Sequence, residues 1–300
     1  MTEGFQKCIL CRTDPPINNS HVIPKFVFKW MIATGGSKYL RYAGAPNKRV
    51  QDGIKVPLLC VSCERQIGDT ENDFSQKIFL PSVNNNVIPK RIGATQYRFI
   101  CSLHFRTIAY LLKHTSDPDF YSSKQKRLIL STFMRMRHYL KGESYSVSPA
   151  KLYLLPLGLG EIGNLAGLPT NWHRFIRRQT EIDLFGSDSG KVLGSYVKFG
   201  PWVSVCLIEN KGEPWTIGEI FPRSTKVLNR HGMLPNYLFD YLIERARNSQ
   251  EAMGKISDRQ NAIIDENFKK ADFVDAGKQM LDALHADFEA FGPDAFRRKK

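Results

Sequence analysis

Three hundred residues of 34.3 kDa, 42% apolar and 24% charged, compose a folded protein with room for two ordinary domains or one large one with an appendage. That mixture excludes a disordered polymer, a collagen-like fibre and a coiled-coil rod, and no window approaches the roughly 18 consecutive apolar residues of a membrane span. The formal net charge is +14, and its distribution is uneven: +4 over residues 1–80, +8 over 81–150, +3 over 151–230 and −1 over 231–300. A solvated surface accounts for some of this excess, but its concentration in the first half favours a polyanionic partner, of which nucleic acid is the most abundant. The start, Met1-Thr2-Glu3-Gly4-Phe5, has neither a basic nor an apolar signal region, so a cytoplasmic chain is expected. Six cysteines in a reducing compartment are not a disulfide scaffold.

Residues 1–80 are punctuated by turn signals: Asp14-Pro15-Pro16, Gly35-Gly36, Ala45-Pro46-Asn47 and Gln51-Asp52-Gly53. Between them, Lys38 to Tyr42 and Ile54 to Leu59 suit short strands, and Pro24 suits the start of a short helix through Phe26, Phe28 and Trp30. From Val61 the pattern is helical, with Ile67, Phe74, Ile78 and Phe79 on one face, and is expected to stop before Pro81. An Asn-rich, linker-like stretch over 81–97 precedes two helices, near 99–114 and 123–141, with basic residues on their polar faces. Beyond Pro149 the segments Leu152 to Leu157, Tyr196 to Ile208 and Trp215 to Phe221 read as strands, with a hairpin through Asn210-Lys211-Gly212. The chain is helical again from Pro235, and Asp258 to Asp294 reads as a near-neutral helical appendage. The fold class expected is α+β, in three segments: a zinc-stabilised module over 1–80, a basic helical segment over 81–148 and a C-terminal α+β domain over 149–300.

Two C-x-x-C pairs, Cys8/Cys11 and Cys60/Cys63, are the expected zinc ligands. Each puts two thiolates on a tight turn, and two such turns close a tetrahedral site. Four thiolates leave no open coordination position, so the ion is structural. Cys101 and Cys206 stand alone in apolar surroundings and read as buried thiols.

Between the pairs lies Asn18-Asn19-Ser20-His21-Val22-Ile23-Pro24-Lys25, and Glu64 follows the fourth cysteine at once. Over about residues 6–80 the sequence resembles the four-cysteine form of the HNH, or ββα-metal, nuclease family. The resemblance implies that His21 is the general base activating water. It makes Ser20 and Glu64 the two positions that hold a catalytic divalent ion, Mg or Mn. Ser20 stands where the family has an acid and Glu64 where it has His or Asn, so the carboxylate has changed sides. The family's middle Asn falls at Asn47, behind an insertion around residues 30–50.

The chemistry suits these residues on other grounds. Phosphodiester hydrolysis needs a base near its working pH and a hard cation, and imidazole and carboxylate provide for them. Asp69, Glu71 and Asp73 on the same helix are further carboxylate candidates, Glu71 lying two turns on from Glu64.

Other motifs carry less. Gly158-Leu159-Gly160-Glu161-Ile162-Gly163 matches a dinucleotide fingerprint, but Gly167 and Pro169 interrupt the helix it requires. Trp172 to Arg178 interleaves aromatic and basic residues, as either a nucleic-acid surface or a docked amphipathic helix would. Arg106, Lys124, Lys126, Arg127, Arg135 and Arg137 are candidate phosphate contacts, as alternatives to solvated faces. The reading is a metal-dependent DNA endonuclease of a kind that serves restriction or antiphage defence. Its rivals are a non-catalytic zinc protein that binds nucleic acid, and a nuclease subunit whose protein partner docks on the C-terminal half.

Overall fold

The first elements are short because glycine, proline and asparagine break the chain every few residues. The computed structural model describes residues 5–37, 39–114, 121–159, 167–187, 190–212, 214–222, 234–270 and 278–297. Strand β1 (Ser20–His21) leads through Pro24 into α1 (Lys25–Ala33), which buries Val27, Phe28 and Trp30. A separate hairpin follows, β2 (Leu40–Tyr42) against β3 (Ala45–Val50), and then β4 (Lys55–Val56) returns antiparallel to β1, with Ser20 opposite Val56 and His21 opposite Lys55.

Helix α2 (Val61–Phe74) starts directly after Cys60 and does not stop before Pro81 as the sequence suggests. It widens into a π turn over Ser75–Phe79, where the Leu80 N–H bonds Ser75 O, and continues as α3 (Leu80–Asn85). The wide turn relieves the clash a proline ring makes with the carbonyl four residues back, and Pro81 then occupies a first-turn position whose N–H is not needed. The helix ends at Asn86, which is left-handed with φ 54.

Helix α4 (Ala94–His114) is the axis of the molecule. Every residue from Phe99 to Ala109 is buried, because α4 packs against α2 on one side and against α5 (Ser123–Leu140) and the large sheet on others. The polar face expected on this helix is therefore largely internal. A capping box between Ser122 and Gln125 starts α5.

The sheet is built from β5 (Lys151–Leu155), β6 (Thr180–Gly186), β7 (Val192–Phe199), β8 (Trp202–Asn210) and β9 (Glu219–Ile220). Its order is β6-β7-β8-β5-β9, with every neighbour antiparallel. Helix α6 (Trp172–Arg178) precedes β6, and α7 (Asn236–Gly254), α8 (Asp258–Lys270) and α9 (Lys278–Phe291) close the chain. The segment expected as one strand over 196–208 is divided by a turn at Gly200-Pro201, so the tight hairpin lies there rather than at 210–212. Gly200 has φ 63, and a Cβ on it would stand 2.7 Å from the Trp30 ring, so both conformation and packing require glycine. Two glycines of the dinucleotide-like motif, Gly160 and Gly163, lie outside the described residues.

One apolar cluster runs through all three sequence segments. Phe74, Phe99, Phe199 and Trp202 form its centre, with Phe74 and Phe99 ring centroids 4.3 Å apart and Phe74 and Phe199 6.0 Å apart. A second cluster under α6 and α7 covers the other sheet face through Trp172, Phe175, Tyr196 and Leu242. Among the described residues no helix is long and apolar enough to cross a membrane.

Helix α4 is bound to the sheet by His104. Its Nε2 lies 2.9 Å from Ser204 Oγ, which itself donates to Tyr153 O, so Nε2 carries the proton; Nδ1, 2.7 Å from Ser195 Oγ, accepts. Complete burial holds this imidazole down at about 3. The unfolded chain takes up a proton near pH 6.5 that the folded one refuses. This contribution is therefore intact above about pH 6.5 and is lost as pH falls from there toward 3. Urea unfolding of the wild type should lose about 2 kcal/mol from this group between pH 7 and pH 5. His104→Gln should be less stable at pH 7 and should lack that component of the slope.

Candidate metal and catalytic centre

The first cysteine pair sits on a turn closed by Arg12 N–H to Cys8 O, with Arg12 left-handed at φ 64. The second pair straddles the start of α2. The four sulfurs lie within 4.8 Å of one another, and Cys11 and Cys60 Sγ are 3.7 Å apart, close to the ~3.8 Å edge of a tetrahedron with zinc–sulfur bonds of about 2.3 Å. This cluster could hold a metal ion such as zinc. Burial opposes ionisation of Cys11, but Thr13 Oγ1 and the backbone N–H groups of Asp14 and Thr13 outweigh it and bring that thiol to about 6. Burial and the neighbouring sulfurs push Cys60 and Cys63 up, a crowding that a central cation relieves. Cys101 and Cys206 are fully buried in the main core, as expected.

Arg137 does not face solvent. From α5 its Nε donates to Leu10 O at 2.7 Å and its Nη2 to Cys11 O at 3.4 Å, so it braces the first cysteine turn and is not a phosphate contact.

Behind the cysteines, His21 Nε2 meets Asp52 Oδ1 at 2.9 Å, and Lys55 Nζ meets Asp52 Oδ2 at 2.7 Å. Asp52 Oδ1 also accepts the Gly53 N–H at 2.9 Å, fixing the carboxylate in the turn before β4. The glycine there is forced, because a Cβ would stand 2.0 Å from the Phe28 ring. Lys55, Gly53 and His21 all hold the Asp52 carboxyl below its ordinary range, against its partial burial. Among the described residues nothing engages His21 Nδ1, which leaves that nitrogen to receive a proton.

Three sequence candidates occupy other roles. Ser20 is completely buried; its hydroxyl donates to Glu64 Oε2 at 3.2 Å and accepts the Leu59 N–H at 3.1 Å, so it ties β1 to α2 and brings no charge to an ion. Asn47 is engaged by the C-terminal helices, bonded through Nδ2 to Lys255 O and through Oδ1 to the Ser257 N–H. Arg106 is 1% exposed: Nη1 donates to His21 O at 2.9 Å and lies 2.7 Å from Glu71 Oε1, while Nη2 is buried without a protein acceptor. It is an internal cation of the site and cannot reach a phosphate at the surface.

Glu64 is half-buried. Burial pushes its carboxyl up, Glu71 adds to this, and Arg106 and Ser20 oppose it. Asp73 is engaged by Lys77 and Gln96, and Asp69 is exposed. Among the described residues no other trio of His, Cys, Asp or Glu gathers closely enough to hold an ion unaided. For Mg or Mn the chain therefore offers chiefly Glu64, since Arg106 already neutralises Glu71. That still fits an ion which accepts one carboxylate plus water and phosphate oxygens.

Of the remaining basic candidates, Lys124 pairs with Glu209 at 2.9 Å and Arg135 Nη1 donates to Ser148 O, while Arg127 is exposed and Lys126 half-buried on α5. The Trp172–Arg178 segment is a docked helix: Asp287 of α9, fully buried, accepts the His173 and Arg174 N–H groups and pairs with Arg174 Nε at 2.6 Å.

Asp52 and Arg106 are the residues that sequence reasoning missed in these roles. Asp52 had a signal, being the lone acid between Asp14 and Glu64. Arg106 had none, because its neighbours are 35 and 85 residues away in the chain. No family model matches the chain, and no curated protein and no solved structure is significantly similar to it.

Elemental analysis should find stoichiometric zinc in the purified protein. Cys63→Ser should lose the metal and melt at lower temperature, whereas Cys101→Ser should retain it.

Proposed function

We propose that the chain is an endonuclease that hydrolyses phosphodiester bonds in DNA, with His21 as general base and Asp52 as its positioning residue. The observation that carries this reading is the His21–Asp52 pair, on the strand whose Ser20 bonds Glu64 at the start of α2, the helix that the four-cysteine cluster joins to the first turn. It agrees with the resemblance of residues 6–80 to the four-cysteine HNH nucleases and with the basic charge of the first half.

In this mechanism His21 Nδ1 takes a proton from water as the water oxygen bonds to phosphorus. The P–O bond to the leaving oxygen breaks, and solvent protonates that oxygen. Asp52 holds the ring through Nε2 and stabilises the imidazolium that forms, the part a carboxylate plays behind a histidine base elsewhere. Ser20 and Arg106 keep Glu64 and the His21 backbone in register. Mg or Mn held on Glu64 would supply positive charge at the scissile phosphate.

One observation favours a second reading, a zinc-bearing module that binds nucleic acid without cutting it. Ser20 is a neutral, fully buried hydroxyl where a second carboxylate is wanted, and Glu71 is already neutralised.

Supercoiled plasmid with Mg²⁺ or Mn²⁺, and with EDTA, separates the two. The wild type should nick in the presence of the metal. His21→Ala should lose about 10²- to 10⁴-fold in rate while keeping its zinc. Asp52→Asn should lower kcat with KM unchanged. Binding without cleavage by the zinc-loaded wild type would overturn the nuclease reading in favour of the binding module.

A further inference from the structure

The insertion between His21 and Asp52 has no part in the chemistry above, yet hydrogen bonds tie it to the site and to the C-terminal helices. The β2–β3 hairpin is anchored to the C-terminal helices at two points. Asn47 exchanges hydrogen bonds with Lys255 O and the Ser257 N–H at the α7–α8 turn, and Arg41 Nη2 donates to Gln260 Oε1 of α8 at 2.9 Å. A third tie reaches the site, Tyr42 Oη donating to Asp52 O at 3.0 Å.

What this scaffold presents to solvent is basic and aromatic. Tyr39 and Tyr42 are 38% and 37% exposed, and Lys48 and Arg49 are exposed beside them. Arg49 lies over the Tyr39 ring at 4.7 Å. In the strand register Arg41 stands directly opposite Arg49, a like-charge pairing that destabilises a hairpin unless something outside it compensates. No acid lies from Pro15 to Gln51 to offset it, and Arg41 is met by neutral acceptors, Pro46 O at 2.7 Å and Gln260 Oε1. Nor, among the described residues, does any carboxylate pair with Lys48 or Arg49. A polyanion meets this requirement, and one bearing unsaturated rings also covers the exposed tyrosines.

We infer that the β2–β3 hairpin is a nucleic-acid docking element: Lys48 and Arg49 contact the backbone phosphates, and the Tyr39 and Tyr42 rings stack on bases or sugars beside the His21–Asp52 pair. The hairpin's relevance to cleavage rests on the proposed function; its binding role does not.

The test is fluorescence anisotropy of labelled single-stranded and duplex DNA across a salt series, in the zinc-loaded full chain carrying His21→Ala so that nothing is cut. Adding Lys48→Glu with Arg49→Glu should weaken binding at least about tenfold and reduce the salt slope by about two. Tyr39→Ala, at an exposed position with little to unfold, should weaken binding about fivefold or more with the salt slope unchanged. Arg127→Glu with Arg135→Glu on α5 makes the same change of charge elsewhere and should have a smaller effect. Unchanged binding in the hairpin variants, an equal loss in the α5 variant, or no binding before the hairpin is altered would each overturn the proposal. Binding that depends on the hairpin, together with a wild type that does not cleave, would leave this inference standing and remove the nuclease reading.

Discussion

A guanidinium in the interior costs several kcal/mol unless it is paired and hydrogen-bonded, and Arg106 meets most of that demand with Glu71, Ser102 O and His21 O, only Nη2 being left without a protein acceptor. Helix α4 brings it in, Glu71 of α2 gives the opposing charge, and the carbonyl of His21 takes a hydrogen bond. One buried charge thus joins the central helix, the strand bearing the candidate base and the helix bearing the candidate carboxylates. The arrangement leaves Glu64 as the main carboxylate still open to an ion, and it makes the position of His21 depend on the packing of α4.

A second bracing system acts at the cysteine turn. The four cysteines draw the first turn onto the start of α2, and Arg137 of α5 holds the backbone of that turn. Two helices thus each contribute an arginine inward, α4 to the His21 carbonyl and α5 to the carbonyls of Leu10 and Cys11. Both arginines come from the most basic segment of the chain, and in both the charge is used for internal hydrogen bonds rather than displayed. A high local net charge does not by itself locate a binding surface.

The C-terminal half is part of the same body. Phe199 and Trp202 lie in one core with Phe74 and Phe99, and the turn between α7 and α8 holds the hairpin inserted between His21 and Asp52. Residues with no chemistry of their own thereby determine where the exposed Tyr39, Lys48 and Arg49 stand relative to the site.

The sequence by itself determined what depends on spacing and local pattern. The two C-x-x-C pairs place four sulfurs that could hold a metal, the periodicities of α1, α2, α4 and α5 mark helices, and alternating strands after Pro149 give the α+β class. His21 and Glu64 stand out because a metal-type spacing surrounds them. The tertiary structure alone decided what those residues touch. Pairing between Asp52 and His21 needs β1 and β4 brought together across 31 residues, and Arg106 becomes internal only when α4 is covered on all sides. The π turn ahead of Pro81 and the split at Gly200 likewise answer to packing, against Phe199 and Trp30, that no local window contains. Secondary structure and a thiolate site follow from neighbours in sequence, whereas the burial of a charge is settled by which surfaces meet.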